Sequence, residues 1–571
     1  MPSSNFNTSI VTCRIRAGGT PMPPCEVVSI TVAREVNRIP SARIVLLDGN
    51  AAEQDFPLSG QPLLQPGKDI EILAGYDSQD KTIFKGIITR LRTRAKSSSN
   101  TELILDCSDK SVSLTEGRHS ACHPRQSDST VMKSLIQAAG LRAAVQTTTV
   151  TQEDLVQFNA TDWDFIVTRA EANGMLVFVH DGEVAVKEPA ILGIPSHEAT
   201  FGTDLIEFEA QLEDTADKAK VSAETWDAAT QKPERQGAGT KSRLQHGGAR
   251  SPSELKCWIQ AVKSRAGLAR ARGRARIQGA GGLLPGQLVT LGGIGKNFGK
   301  LHFVSGVEHE IADGNWTTEI QFGLASRWFH QRANVVEPPA AGLLPAVAGL
   351  QIGIVTKIAG DPRNEFRVQV RLPLVDAQGE GLWARVARLD AGAERGIVFL
   401  PEVGDEVVLG FLSNDPRDAI VLGMLHSSKK ASPIAADEKN PSKGLTTRSK
   451  LQLLFDDEKK VITIATPAGN RFVLDEENKK ITLTDQHKNS VALSETGILL
   501  TGQNHTVELG SSGVTVKSQS DIVLKATGNI TLEGVNVEAK ANAQFKAIGQ
   551  TGAEVSTSGI AILKGSLVQI N

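Results

Sequence analysis

Aromatic residues are scarce in this chain: they make up 4% of its 571 residues, and Tyr76 is the single tyrosine. Apolar residues still account for 40% of the chain, which is enough for ordinary globular cores. A chain of this length predicts roughly three to five domains. The net charge of −2 excludes a global attraction to nucleic acid or to an anionic membrane.

Long apolar runs are also lacking. No stretch reaches the roughly 18 apolar residues that a transmembrane helix requires. The N-terminal stretch MPSSNFNTSIVTCRIRAGG has no basic segment followed by an apolar one, so we expect no Sec signal peptide. The sequence therefore predicts synthesis in the cytoplasm, and a role outside the cell would require another delivery route.

Cysteines are few and odd in number, with five at positions 13, 25, 107, 122 and 257. Their spacing matches no zinc-binding pattern, so reduced structural thiols are expected. His119, Cys122 and His123 form the only local cluster of soft ligands, and no fourth ligand follows nearby. We therefore predict neither a metal site nor a cofactor.

Two stretches are weak candidates for anion binding. Gly279 to Gly282 lacks the spacing of a phosphate-binding loop, and we predict a turn between strands there. In the basic run Lys263 to Arg276, the arginines at 270, 272, 274 and 276 alternate with Ala or Gly, which places them on one face of a strand. No aromatic residues for base stacking interleave with them. We interpret this stripe as solvated or subunit-facing, and we predict no nucleic-acid partner.

Apolar doublets, two apolar residues separated by one other residue, dominate the last 120 or so residues. Side chains alternate across a strand, so both members of a doublet point to one face. The segments between doublets are rich in Gly, Asn, Asp, Ser and Lys, which are turn residues. One such chain has too few apolar residues for a wide core, so we predict a narrow core shared by several copies. The doublets are Ile462/Ile464, Phe472/Leu474, Ile481/Leu483, Val491/Leu493, Ile498/Leu500, Val507/Leu509, Val514/Val516, Ile522/Leu524 and Ile530/Leu532.

The rest of the chain predicts a mixed but mainly β region followed by a small barrel. Residues 1 to about 120 contain strand-like stretches. Helices are predicted over roughly 129–139, with Asp128 as N-cap, over 162–173, with a Thr161/Asp164 capping pair, and from Ser251-Pro252 to about Leu268. A hairpin turns at Asp181-Gly182. Five short strands between 352 and about 426 predict a closed barrel of OB type.

Three stretches resemble a known family. FNATDWDFIVTRAEANGMLVFVHDG looks like the hub motif of phage tail and VgrG proteins, and ARGRARIQGAGGLLPGQLVTLGG is similar to the second hub barrel of that family, including Pro285-Gly286. The stretch from Gly353 to Ser427 strongly resembles its OB-fold baseplate module. The residues that carry the hub and OB matches are Asp162, Trp163, Phe165, Arg169, Gly174, Asp361-Pro362, Arg367-Val368, Leu372-Pro373, Trp383-Ala384-Arg385, Pro401, Gly404, Asp405, Asp415, Pro416 and Gly423.

The resemblance implies a mainly β fold: two hub β-barrels with a few helices, an OB-fold barrel and a C-terminal trimeric intertwined β-helix needle. The corresponding domains are a tail-hub-like region at 1–340, the OB module at 341–430, a linker at 431–450 and the needle at 451–571. The predicted trimer core of the needle consists of Ile481, Leu483, Val507, Leu509, Val514, Val516, Ile522, Leu524, Ile530 and Leu532. The predicted cap-binding tip consists of Leu567, Val568, Ile570 and Asn571.

The function implied is that of a VgrG-like spike in a contractile injection system, whether type VI secretion, a tailocin or an extracellular injection particle. The expected partners are two further copies of the chain, a hexameric inner-tube protein, baseplate proteins, a PAAR-like tip, effector cargo and, transiently, a target-cell membrane. Because no effector domain follows the needle, we expect a structural part of a particle, ejected to the outside or into a target cell, and not an enzyme.

An alternative remains open, namely a trimeric tail-tip protein that binds or degrades glycans. Paired carboxylates can hydrolyse glycosides, and Asp361/Glu365 and Glu402/Asp405 are such pairs in sequence. Both pairs lie in predicted turns of the barrel, where we interpret them as surface charge.

Overall fold

The computed structural model consists of two compact units, one of residues 1–400 with 408–422 and the other of residues 401–407 with 423–571. It describes residues 9–96, 99–215, 220–332 and 334–570. The strands before residue 340 are β1 Val11–Ala17, β2 Thr20–Pro21, β3 Val27–Glu35, β4 Ser41–Leu47, β5 Asp69–Tyr76, β6 Lys81–Lys96, β7 Ser99–Ser108, β8 His119–Ser127, β9 Arg142–Val145, β10 Thr151–Ala160, β11 Leu176–His180, β12 Glu183–Lys187, β13 His197–Thr200, β14 Leu205–Leu212, β15 Val221–Asp227, β16 Lys232–Gln236, β17 Ser242–His246, β18 Ala271–Gln278, β19 Leu288–Gly292, β20 Leu301–Ala312 and β21 Asn315–Phe322.

Thirteen of these strands form one sheet, in the order β14-β18-β21-β20-β3-β4-β7-β6-β5-β1-β2, with β19 paired to β20 and β13 to β19. Gly306–Ala312 of β20 pairs with Ser29–Glu35 of β3 and so joins the two halves of the sheet. Each half has its own apolar core, one around Ile30, Ile72 and Phe84 and the other around Ile277 and Phe322. The two predicted hub barrels are therefore halves of a continuous sheet.

The described residues include four helices, of which the first three begin at side-chain caps. They are α1 Asp128–Ala138, α2 Asp162–Ala172, α3 Pro252–Ala269 and the single turn α4 Gly295–Phe298. The caps at Thr161 and Ser251 are confirmed, because each hydroxyl accepts from the backbone N–H three residues on. The cap of α1 was predicted wrongly: Ser127 is the N-cap, and Asp128 is the first helical residue. The predicted hairpin is confirmed as β11–β12, with a 3-stranded sheet order of β11-β12-β9.

Short 3-10 turns connect some of these elements, at Pro62–Leu64, Lys110–Thr115, Phe329–Gln331, Pro339–Gly342 and Leu412–Asn414. Gly279 to Gly282 follows β18 as the predicted turn, and Gly279 is required by its neighbour: a Cβ there would lie 2.0 Å from the Trp316 ring. No helix among the described residues is long and apolar enough to cross a membrane.

The predicted small barrel is confirmed. Its strands close in the order β22-β23-β24-β28-β27, and β24 runs parallel to β28. Alternate residues point inward, so Val355, Val368, Val370, Leu409 and Val421 are almost fully buried. The strands of this region are β22 Gln351–Lys357, β23 Val368–Arg371, β24 Leu382–Val386, β25 Ala391–Gly392, β26 Arg395–Gly396, β27 Glu406–Phe411 and β28 Ala419–Met424.

The C-terminal part of the chain is a nine-stranded antiparallel meander in which each strand pairs with the next. It begins within the predicted linker 431–450, because Ser442–Thr446 already pairs with the following strand. The strands are β29 Ser442–Thr446, β30 Gln452–Asp456, β31 Val461–Ala465, β32 Arg471–Asp475, β33 Lys480–Thr484, β34 Ser490–Ser494, β35 Gly497–Gly502, β36 His505–Gly510 and β37 Gly513–Lys517. Residues 518–570 contain no strand in this single chain.

Candidate assembly surface

The cross-strand register places every doublet from Ile462 to Val516 on the same face of the C-terminal meander. Leu483 pairs with Phe472 on one side and with Val491 on the other, and Val507 pairs with Leu500 and Val516 in the same row. A second row runs through the other doublet members, Ile462, Leu474, Ile481, Leu493, Ile498, Leu509 and Val514. We call this the doublet face. The residue between the two members of each doublet lies on the opposite face.

The doublet face is open in the single chain. Leu483 is 54% exposed and Val514 is 69% exposed, whereas Thr463 and Ala492 on the opposite face are buried. Soluble proteins rarely leave a continuous apolar strip of this length uncovered. One row of the face also borders a hollow of about 630 Å³, which is lined by Leu483, Val491, Leu500, Val507 and Val516 among others. Both properties are typical of a surface that packs against another chain.

The predicted trimer core divides into two groups. Six of its residues, Ile481, Leu483, Val507, Leu509, Val514 and Val516, lie on the doublet face. The other four, Ile522, Leu524, Ile530 and Leu532, lie beyond β37, outside any strand and 53–74% exposed.

The predicted cap-binding tip lies in the same extended segment. Leu567 and Ile570 are more than 80% exposed and Val568 is 50% exposed. Asn571 lies outside the described residues. The segment therefore presents apolar side chains, but a single chain does not bring them into a defined surface.

Carboxylates clamp two loops of the barrel. Asp361 accepts hydrogen bonds from the guanidinium of Arg367, at 2.6 Å from Nη2, and from three backbone N–H groups of its own loop. Asp415 binds Arg417 in the same way, at 2.6 Å and 3.0 Å. The Arg367 and Arg417 guanidiniums hold the pKa of Asp361 and Asp415 well below the usual range, with Asp415 at about 2. Both carboxylates bind groups of their own loops, and their lowered pKa makes them unsuited to acid–base catalysis.

The remaining residues of the barrel motif have simpler surroundings. Asp405 accepts from the backbone N–H of Glu402 at 2.8 Å and from Lys430 at 2.8 Å, and Lys430 also binds the carbonyl of Gly404. Trp383 is half-buried on β24, and Pro401 is buried. Pro416 follows the clamped Asp415. Gly423 is on β28, where a Cβ would meet open space, so nothing in the single chain explains this glycine.

The hub motif encloses a buried ion pair. Arg169 on α2 donates two hydrogen bonds to Asp128 on α1, at 2.6 and 2.9 Å, and Asn173 donates a third at 3.0 Å. Trp163 and Phe165 are buried among the surrounding apolar residues. Gly174 ends the helix at φ 73°, with its backbone close to Ala261 on α3. The resemblance identified Arg169 from the sequence, but Asp128 was not predicted as its partner. An aspartate at the start of a helix is ordinarily interpreted as a cap, so the sequence gives no sign of the ion pair.

The arginine stripe forms cross-strand ion pairs. Arg274 pairs with Glu209 on β14 at 2.9 Å, and Arg276 pairs with Glu207 and Glu319 at 3.3 Å each. Arg270 lies at the end of α3 and does not belong to the strand. His119, Cys122 and His123 all lie on β8, and no group of three metal-ligating side chains occurs among the described residues.

Two family models match the sequence. Residues 7–242 and 237–313, more than half of the chain, match the Alg8 N-terminal domain. Residues 351–426 match the "Type VI secretion system/phage-baseplate injector OB domain", which coincides with the closed barrel. Among curated proteins, the chain is 26% identical over 205 residues to the type VI secretion system spike protein VgrG1b of Pseudomonas aeruginosa.

The chain belongs to the Alg8 N-terminal domain family, and it resembles the VgrG spike proteins.

A second curated relative is the type VI secretion system spike protein VgrG5 of the same organism, to which the chain is 36% identical over 104 residues. The two matches cover 34% and 17% of the chain and 27% and 13% of those relatives. A solved structure of an E. coli type VI secretion component, described as similar to the T4 tail proteins gp27 and gp5, aligns with a TM-score of 0.40 at 13% identity. That alignment covers 72% of this chain and 99% of the other.

Proposed function

We propose that the VgrG-like spike works as a homotrimer, in which the doublet faces and extended C-terminal segments of three copies build one needle. The observation that carries this proposal is the open apolar strip of the meander, together with the exposed segment that follows it. Fully burying one Val, Leu or Ile side chain contributes about 1.5–3 kcal/mol. Half-exposed side chains retain roughly half of that gain for assembly, and each copy contributes two long rows of them.

The needle would then be the rigid, piercing part of a contractile injection machine. Main-chain pairing between copies would give residues 518–570 the hydrogen bonds that a single chain leaves unmade. The hub would join the needle to a hexameric tube protein and to the baseplate. Leu567, Val568 and Ile570 would support a PAAR-like tip, and effectors would travel with the assembled spike toward the membrane of the target cell.

Mass measurement by light scattering tests the proposal directly. The full-length protein is expected at about three times the mass of its 60.9 kDa chain. A folded monomer that stays dispersed at micromolar concentration would overturn it. Co-purification with the tube protein tests the hub separately, so a failure of the needle and a failure of the hub are distinguishable.

A further inference from the structure

A polar cavity of about 690 Å³ lies in the first unit, between the arginine stripe and the segment that follows β21. Its floor is the polar side of β14, β18 and β21, since the other side of these strands carries Ile277, Ile320 and Phe322 in the core. Its wall is formed by residues 323–332. Six arginines and four glutamates line it, so the positive charges outnumber the negative ones by two. Cavities of roughly 300–1,000 Å³ are typical of small-ligand sites.

The floor is electrostatically balanced. Arg274 is held by Glu209, and Glu319 is held by Arg276. At the rim, Arg38 pairs with Glu35 at 3.0 Å. Anion binding by these groups would have to compete with carboxylates already in place.

The wall is rigid, because a buried carboxylate anchors it. Glu171 accepts from Asn37 Nδ2 at 2.8 Å, from the backbone N–H of Phe329 at 2.7 Å and from Arg265. Arg265 also donates hydrogen bonds to the carbonyls of Ala325 and Arg327. Its guanidinium carbon lies over the Trp328 ring, 5.3 Å from the ring centroid. This arrangement fixes the backbone of the wall without leaving Arg265 or the Trp328 face free for a ligand.

The two remaining arginines of the wall, Arg327 and Arg332, contact a carbonyl and an aromatic ring. Arg327 uses one nitrogen on the carbonyl of Gln331, at 2.7 Å, and Arg332 lies over the Phe329 ring at 4.9 Å. Neither has a carboxylate partner among the described residues. Burial and then the positive charge of Arg38 lower the pKa of Arg332, while the negative charges of Glu171 and Glu35 raise it. Arginine stays protonated in proteins, so Arg332 keeps a positive charge that these two carboxylates offset only in part, and a bound anion would stabilise it further.

We propose that this cavity binds a compact multivalent oxyanion, with its negative oxygens on Arg327 and Arg332. Planar guanidinium groups match carboxylate and phosphate oxygens in a forked geometry. A nucleotide fits less well, because the Trp328 face that would stack on a base is occupied by Arg265. The oxyanion has two sources: a free small molecule, or the acidic side chains of a partner chain that inserts into the cavity.

Isothermal titration calorimetry on the full-length protein at low salt tests this site with three probes: citrate, pyrophosphate and a tetraglutamate peptide. We expect at least one probe to bind and to lose about tenfold or more in affinity in the Arg327→Gln/Arg332→Gln variant. Arg332→Lys keeps the positive charge but loses the forked geometry of the guanidinium. Its affinity for the probe is expected to lie between those of the parent and the double variant. Which probe binds best distinguishes a free carboxylate, a phosphate and an acidic chain.

The matched control is Arg90→Gln/Arg125→Gln, which removes the same charge from two exposed arginines outside the cavity. It should bind the probe as the parent does. Equal binding by the parent and the cavity variant, equal losses in the control, or no binding by any of the probes would each overturn the proposal. Circular dichroism and light scattering verify that each variant is folded and assembled like the parent.

Discussion

Arg169 on α2 and Asp128 on α1 join these two helices through a forked pair of hydrogen bonds, and Asp128 is only 1% exposed in that contact. The pair explains why the hub motif contains an arginine on the inner side of α2. It also leads to a prediction about stability.

Removing one member of this pair should be strongly destabilising. Arg169→Met leaves the buried Asp128 carboxylate with only Asn173 as a side-chain donor, and breaking a buried pair in this way costs about 3–5 kcal/mol. Calorimetry or pulse proteolysis of the hub transition measures the effect. The control is Arg142→Lys at an exposed pair with Glu183, 3.6 Å apart, where the change should be at most about 1 kcal/mol. Similar small losses at both positions would contradict the prediction.

Acid should loosen the barrel through its aspartate clamps. Arg417 lowers the pKa of Asp415 from 3.8 to about 2. A lowered folded-state pKa contributes stability that is present above the unfolded value and is lost as the pH falls through the folded value. The loss should therefore occur between about pH 4 and pH 2. In melting curves across this range, Asp415→Asn should be less stable than the parent at pH 6, and the difference should shrink toward pH 2. A difference independent of pH would contradict the assignment.

The doublet face predicts that substitutions on the two faces of the meander affect assembly differently. Leu499 and Leu500 are adjacent on β35 and are each 38% exposed, but only Leu500 belongs to the doublet face. Leu500→Lys should dissociate the trimer or lower its melting temperature by many degrees, because it places a charge in the shared core. Leu499→Lys should be tolerated, since it faces Glu508 across the strand pair. Light scattering and thermal melting compare the two variants. A larger loss of assembly or melting temperature in Leu499→Lys than in Leu500→Lys would show that the opposite face points into the needle.

Hydrogen exchange should reveal strands that a single chain does not make. In the assembled trimer the amides of residues 518–570 should exchange slowly, because partner chains would supply their acceptors. Ile522→Asp or Leu524→Asp should restore fast exchange locally. A trimer whose segment 518–570 exchanges like an unfolded peptide would show that the needle ends near Lys517.

The tip is tested by deletion. Removing residues 566–571 should abolish capture of a PAAR-like tip protein in a pull-down, because Leu567, Val568 and Ile570 go with it. The trimer should stay intact, since the doublet face is untouched. Capture as strong as that of the parent would show that the tip protein binds elsewhere or is not used.

Local patterns predicted the local structure well. The seven doublets from Ile462/Ile464 to Val514/Val516 anticipated the strands and their common face, because a period of two is a direct property of extended backbone. The caps at Thr161 and Ser251 and the five barrel strands follow from equally local signals. The Asp128–Arg169 pair and the Glu171 junction were missed, because they join residues far apart in sequence whose types have ordinary local explanations. The strands predicted at Ile522/Leu524 and Ile530/Leu532 are absent from the single chain; in the proposed trimer their partners would lie in other copies.

The pairing of β20 with β3 also bears on the synthesis of the protein. Strand β3 pairs with β4 soon after both are made, but residues 29–35 gain their second neighbour only when residues 306–312 have been made, and the ribosome adds roughly 5–20 residues per second. For roughly 15–55 s, β3 is therefore the open edge of a half-built sheet in each nascent chain. Several chains made close together on one messenger RNA would expose identical strand edges to one another. A chaperone that protects the nascent chain would therefore need to cover this edge.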